Sequence, residues 1–145
     1  APRPAPDFDR MMARDALCEA AALADFFVIL VPLSPQTQGI VDAKVIGAMK
    51  SSAYLINVAR GGVCNEADIV AAVREKRIGG AGLDVFVEEP LPKDHPFWKE
   101  PNIVVTPRRS GSCADYHKLA LPTVEKNLRA FAEGRMGDLI NVVPR

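Results

Sequence analysis

The run Ala53-Tyr54-Leu55-Ile56-Asn57-Val58-Ala59-Arg60-Gly61-Gly62 is mostly apolar, with β-branched and aromatic members, until it ends abruptly in an arginine and two glycines. Such a run reads as a buried strand. Its ending sets a guanidinium at the strand's carboxyl end. In open parallel sheets ligands bind at that edge, because the loops leaving the strands and the N-termini of the following helices converge there. Three other charged positions fall at comparable places: Asp84 and Glu89, at a strand read from Ala81 to Phe86, or from Leu83 to Val87 when counted after the glycine run, and Arg108, after a strand from Ile103 to Thr106.

Working outward, residues 1 to 8 are proline-rich and are expected to be irregular. The run from Asp9 to Ala24 is rich in Ala, Met and Leu and predicts a helix, with Leu17, Ala20, Ala21 and Ala24 at helical spacing. Phe26 to Val31 shows no polar alternation, so it predicts a strand covered on both faces. Pro32 and Pro35 end it. Asp42 is a fitting N-cap for a short helix to Met49, and Asn65-Glu66 opens a helix to about Lys76 with Ile69, Val70 and Val73 facing inward.

Gly79-Gly80-Ala81-Gly82 leads into the next strand, and a loop with four prolines spans Glu88 to Pro101. From Cys113 to about Gly134 the chain predicts helix, interrupted or begun afresh at Pro122, with Leu121, Val124, Leu128 and Phe131 as a core stripe. Strand and helix alternating in units this short imply right-handed crossovers and a parallel sheet. The fold class is therefore α/β, a parallel sheet flanked by helices, in one domain over residues 9–145 with a C-terminal helix.

The 145 residues suffice for an independent core. Lys plus Arg equals Asp plus Glu, 18 against 18, which argues against nucleic acid or an anionic membrane held by bulk attraction. Cys18, Cys64 and Cys113 are odd in number and have no Cys-x-x-Cys spacing, so free thiols in a reducing, cytoplasmic setting are expected and no metal site. The apolar run Phe26 to Leu33 is too short to span a bilayer, and no signal-peptide pattern opens the chain. Its start, Ala-Pro-Arg-Pro-Ala-Pro without methionine, suggests a processed product, an excerpt or a truncated frame.

A dinucleotide fold would ordinarily show Gly-x-Gly-x-x-Gly after its first strand, and this sequence has none. Gly80-x-Gly82 precedes a strand where it should precede a helix, so close backbone packing is the better account of those glycines. Taken singly, Arg60, Asp84, Glu89 and Arg108 have structural explanations as salt-bridge partners, turn acids or solvated charges. Their combination at successive strand ends is what points to one crevice.

Three segments carry a resemblance. Asn57 to Gly62, Gly80 to Pro92 (Gly-Ala-Gly-Leu-Asp-Val-Phe-Val-Glu-Glu-Pro-Leu-Pro) and Pro101 to Pro107 (Pro-Asn-Ile-Val-Val-Thr-Pro) closely resemble the D-isomer-specific 2-hydroxyacid dehydrogenases, and the glyoxylate and hydroxypyruvate reductase branch in particular. Val31-Pro32-Leu33-Ser34-Pro35-Gln36-Thr37 matches that family's adenosine-side loop. The resemblance runs from about residue 15 to the end and implies the C-terminal half of a Rossmann-type NAD(P)-binding domain. It implies hydride transfer between NAD or NADP and a small 2-keto or 2-hydroxy acid, and a homodimer or a pairing with a full-length paralogue. By the family pattern, Arg60 would grip the substrate carboxylate and keto oxygen. Asp84 would accept a hydrogen bond from the nicotinamide carboxamide, and Glu89 would hold a catalytic histidine protonated and oriented. Pro32, Ser34, Val58, Ala59 and Gly111 would line the cofactor.

One departure bears directly on the chemistry. The family has histidine directly after Thr-Pro, and this chain has Arg108. Arginine stays charged above pH 12 and cannot give its proton to a forming alkoxide, so Arg108 is expected to pair with Glu89 instead. Two histidines remain. His117, on the predicted last helix, is expected to be a surface or core residue, and His95 lies in the proline-rich loop beside Trp98, which is expected to pack rather than touch a ligand.

Overall fold

The computed structural model describes residues 6–142, which form two compact units divided between Ser110 and Gly111. The first holds a four-stranded parallel sheet in sequential order: β1 Phe26–Ile29, β2 Tyr54–Asn57, β3 Gly80–Leu83 and β4 Ile103–Val105. Helices α1 Leu17–Leu23, α2 Ala43–Ala48 and α3 Glu66–Arg74 belong to the same unit. The expected α/β class is what is found. Of the irregular stretch expected over 1–8, the first five residues lie outside the described residues.

Register fixes the two faces of the sheet. Phe27 and Ile29 align with Leu55 and Asn57, and those with Ala81 and Leu83, so one face presents an apolar band interrupted only by Asn57. That band shares a single core with Ala21 of α1, Val45 and Ile46 of α2, and Ile69, Val70 and Val73 of α3. The sheet grows in one direction, and right-handed crossovers then put every connecting helix on the same side.

The expectation that β1 is covered on both faces is corrected here. On the opposite face Phe26, Val28, Tyr54 and Val104 are exposed, and the Phe26 and Tyr54 rings stack at 6.1 Å. β1 also ends at Ile29, two residues early, leaving Leu30 and Val31 exposed. An apolar run without alternation does not say how many layers the chain supplies.

Two caps hold as expected. Asp42 accepts the amides of Lys44 and Val45 at 3.0 Å, and Asn65 accepts those of Ala67 and Asp68 at the start of α3. The expected helix over 9–24 is shorter, a 3₁₀ turn Arg14–Ala16 followed by α1. β3 lies on the glycine run itself, earlier than drawn. A Cβ at Gly80 would stand 2.4 Å from the Asn102 carbonyl oxygen and 2.9 Å from the Tyr54 ring, so Gly80 serves close packing between strands, as expected, whereas a Cβ at Gly82 would only touch Ile56 at an ordinary 3.9 Å.

In the second unit α4 runs unbroken over Tyr116–Ala132 through Pro122. That corrects the expected interruption: proline removes one amide, leaving the Lys118 carbonyl without its helical partner, and the remaining turns carry the helix on. The expected core stripe is also corrected, for Leu121, Val124, Leu128 and Phe131 are exposed and Ala130 is the buried residue of the helix. The chain after α4 folds back only far enough for Asn127 to exchange two hydrogen bonds with Ile140, at 2.9 and 3.0 Å. His117 is exposed.

Candidate active site at the carboxyl edge of the sheet

Asn57 organises the Arg60 corner. It is the polar residue ending an apolar strand, it is buried, and its carboxamide closes the turn that follows: Oδ1 accepts the Ala59 amide and Nδ2 donates to the Arg60 carbonyl, both at 3.0 Å. Nδ2 also lies 3.4 Å from Cys64 Sγ. Burial, helped by the nearby Glu66 charge, pushes the Cys64 thiol up to about 12, with the Asn57 contact opposing, so this sulfur is packing and not a nucleophile.

Arg60 itself is exposed, and Nη1 donates to the Ala59 carbonyl at 2.6 Å, leaving the rest of the guanidinium free to bind. The next residue explains the glycine: a Cβ on Gly61 would sit 1.9 Å from the Phe86 carbonyl carbon and 2.3 Å from the Val87 nitrogen. The backbone leaving β2 is therefore pressed against the backbone leaving β3. This close approach is what brings Arg60 to the loop that carries Glu89.

Glu89 accepts the Phe86 amide at 3.1 Å and pairs with Arg108. The Phe86 amide, outweighing partial burial, together with Arg108 and then Arg60, holds its carboxyl below the usual carboxylate range. Arg108 sits in the left-handed region at φ 53°, unusual for a bulky residue and in keeping with a position over-determined by its surroundings. The expected pair with Glu89 is thus formed. Arg60, Glu89 and Arg108 together leave one net positive charge on this rim. Beside the pair lies a cleft of about 700 Å³ walled by Phe86, Leu91, Trp98, Val105 and Pro107. Phe97 is the residue of this loop that packs into the core; Trp98 is half exposed and donates Nε1–H to the Pro92 carbonyl at 2.8 Å.

Asp84 is buried, at 3% exposure, and its carboxylate gathers the 106–110 loop. Oδ1 accepts the Thr106 hydroxyl at 2.5 Å and the Arg109 amide at 2.7 Å, and Oδ2 accepts the Ser110 amide at 2.8 Å. Burial alone would raise this carboxyl. Hydrogen bonds from Ser110 and Thr106 and the two amides outweigh it and hold the group well below the usual range.

A carboxylate offers about four acceptor sites. The Ser110 and Thr106 hydroxyls are the donors able to turn away without moving backbone, whereas the Arg109 and Ser110 amides are fixed by it. Of the other positions expected to line a cofactor, those in the first unit lie on the same edge. Pro32 and Ser34 follow β1, with Ser34 in a turn closed by Thr37, and half-buried Val58 and buried Ala59 follow β2. Gly111 belongs to the second unit, where a Cβ would meet nothing within 4 Å. Among the described residues no cluster of His, Cys, Asp and Glu is arranged to hold a metal, and no helix is long and apolar enough to cross a membrane.

A sequential parallel sheet with charged residues gathered at its carboxyl edge is the layout of one half of a doubly wound, dinucleotide-binding sheet. The profile of the D-isomer specific 2-hydroxyacid dehydrogenase NAD binding domain matches residues 2–110. The chain belongs to that family.

Glyoxylate/hydroxypyruvate reductase A of Photorhabdus laumondii is 38% identical over 122 residues, covering 84% of this chain and 38% of the relative. Among solved structures, a D-isomer specific 2-hydroxyacid dehydrogenase from Xanthobacter autotrophicus Py2, in complex with NADPH and MES, matches at TM-score 0.79 and 37% identity, covering 90% of this chain and 52% of that one. A probable 2-hydroxyacid dehydrogenase from Rhizobium etli CFN 42, in complex with NADP, HEPES and L(+)-tartaric acid, matches at TM-score 0.79 and 31% identity over 99% of this chain and 45% of that one. The chain spans 38% of the Photorhabdus relative and 47% of another curated relative.

Sequence reasoning named Arg60, Asp84, Glu89 and Arg108 but passed over Asn57, Thr106 and the amides of Arg109 and Ser110. A polar side chain closing a buried strand was the available signal for Asn57. Nothing in the sequence marks two backbone amides as carboxylate ligands.

Proposed function

We propose that this chain supplies the substrate and nicotinamide rim of an NAD(P)-dependent 2-hydroxyacid dehydrogenase site for a small 2-keto acid such as glyoxylate or hydroxypyruvate. The observation that carries the reading is the pair of guanidiniums, Arg60 and Arg108, flanking the single carboxylate of Glu89 at the ends of parallel strands. Arg60 binds the substrate carboxylate and keto oxygen through its free N–H groups. Asp84 holds the 106–110 loop and offers Oδ2 to the carboxamide. The nicotinamide, when bound, supplies the hydride. Solved relatives holding NADPH or NADP support NADP(H) as the cofactor to test first. Three free thiols support a reducing, cytoplasmic setting.

The proton is the difficulty. Glu89 is ionised and Arg108 permanently protonated, so neither delivers a proton to an alkoxide near neutral pH. This observation favours a second reading for the chain as it stands, a module that binds a keto acid without turning it over. The two readings part in an assay of NADPH oxidation with glyoxylate or hydroxypyruvate. The wild-type chain is expected to be slower than Arg108→His by about two to four orders of magnitude, the usual worth of a general acid. Wild-type turnover at or above that of the variant would refute the assignment of Arg108.

A further inference from the structure

The crossover from β3 to β4 carries Glu89, and α3 holds that crossover at three points. Glu66, the first residue of α3, accepts the Val87 amide with Oε1 at 2.9 Å. Its other oxygen lies 3.6 Å from His95 Nε2, a polar contact longer than a hydrogen bond. Arg74, at the far end of α3, donates Nε–H to Glu100 at 2.7 Å. The Glu66 and His95 side chains are each only 19% exposed.

His95 is itself fixed. Nδ1 accepts the Phe97 amide at 3.3 Å and caps the 3₁₀ turn Pro96–Lys99, and the ring lies 4.4 Å from that of buried Phe97. With Nδ1 accepting, the proton of the neutral ring is on Nε2, the atom facing Glu66. Glu66 thus has one oxygen on each limb of the segment bearing Glu89: Val87 lies two residues before it and His95 six after. Glu89 in turn takes the amide of Phe86, adjacent to Val87.

We infer that Glu66 and His95 act as a clamp that positions Glu89 and, through it, Arg108, a role that rests on the reading of Glu89 and Arg108 as the substrate rim. Neither clamp residue is among the residues that form that rim. They are positioning residues, and their effect should appear at Val87, Phe86 and Arg108 rather than in global stability.

His95→Asn separates the clamp from the cap. Asparagine keeps a side-chain acceptor for the Phe97 amide, as a helix N-cap does, but is too short to reach Glu66. In the full 145-residue chain, ¹⁵N NMR measures solvent exchange of the Val87 and Phe86 amides, with the Leu55 and Ile56 amides of β2 as controls for global opening. The clamp predicts that His95→Asn speeds exchange at Val87 and Phe86 about two- to five-fold, the scale of a weak polar contact rather than a full hydrogen bond, and shifts the Arg108 Nε–H signal while β2 is unchanged.

Glu66→Ala should do the same, and the double variant no more than Glu66→Ala. Unchanged exchange and an unmoved Arg108 signal in His95→Asn would overturn the clamp, as would strictly additive effects in the double variant. Should Glu66→Ala fail to fold, His95→Asn decides alone. Titration with oxamate, a 2-keto acid analogue, keeps the two ideas apart: altered exchange without any oxamate binding by wild type upholds the clamp and overturns the rim.

Discussion

Glu89 and Arg108 form an ion pair across 19 residues of chain, joining the loop after β3 to the loop after β4 at the carboxyl edge of the sheet. Both groups are partly exposed, Arg108 by half, so water screens the pair and its value to stability is small. Its importance is positional. On the proposed reading it sets a permanently charged guanidinium where proton transfer would need a group that titrates.

Gly61 is where two strand exits touch. Gly61→Ala forces a methyl group into the Phe86–Val87 backbone and should destabilise the chain by about 1–3 kcal/mol, the range for overpacking, or displace the Glu89 loop. Gly111→Ala, where a Cβ meets nothing within 4 Å, should stay within about 0.5 kcal/mol of wild type. Urea denaturation of the two variants against wild type checks the contrast.

Asp84 and Glu89 both have folded-state carboxyls below their ordinary range. A depressed folded pKa means that the unfolded chain binds the proton first. The stability these groups contribute is therefore present above the unfolded carboxyl range and is lost as pH falls through it toward the lower folded values. Acid should weaken wild type more than Asp84→Asn, with the two denaturation midpoints converging below about pH 4, near the ordinary carboxyl pKa. At neutral pH Asp84→Ala should cost about 2 kcal/mol for the loss of its charge-assisted hydrogen bonds.

The three cysteines should differ in reactivity. Cys113 is exposed, Cys18 half-buried and Cys64 buried with its thiol pushed up to about 12. Iodoacetamide at pH 8 should label Cys113 first, Cys18 more slowly and Cys64 only in denaturant, as read by peptide mass spectrometry. Early labelling of Cys64 in the native protein would contradict the burial that supports the Arg60 corner.

Much of this was legible in the sequence because it was local. Caps at Asp42 and Asn65 declare themselves through residue type, and alternation of apolar runs with helical stripes gives a parallel sheet. The charged residues at strand ends were visible for the same reason. Covering of the sheet was not, since Phe26 and Val28 are as apolar as Phe27 and Ile29 although only the latter pair face the helices. The boundaries of β3 were misdrawn because glycine is a poor strand former, and only the nearness of Tyr54 and Asn102 makes it the residue that fits. Pro122 breaks one hydrogen bond without ending the helix, a balance that residue type alone does not reveal.

The account depends on Arg60, Glu89 and Arg108 forming one rim with spare positive charge. Calorimetric titration of the chain with oxamate, repeated on Arg60→Ala and at raised ionic strength, tests this most directly. The rim predicts binding that weakens at least about tenfold without Arg60, as expected for a lost charge-assisted contact, and that falls with salt. Binding of equal strength in Arg60→Ala would contradict it.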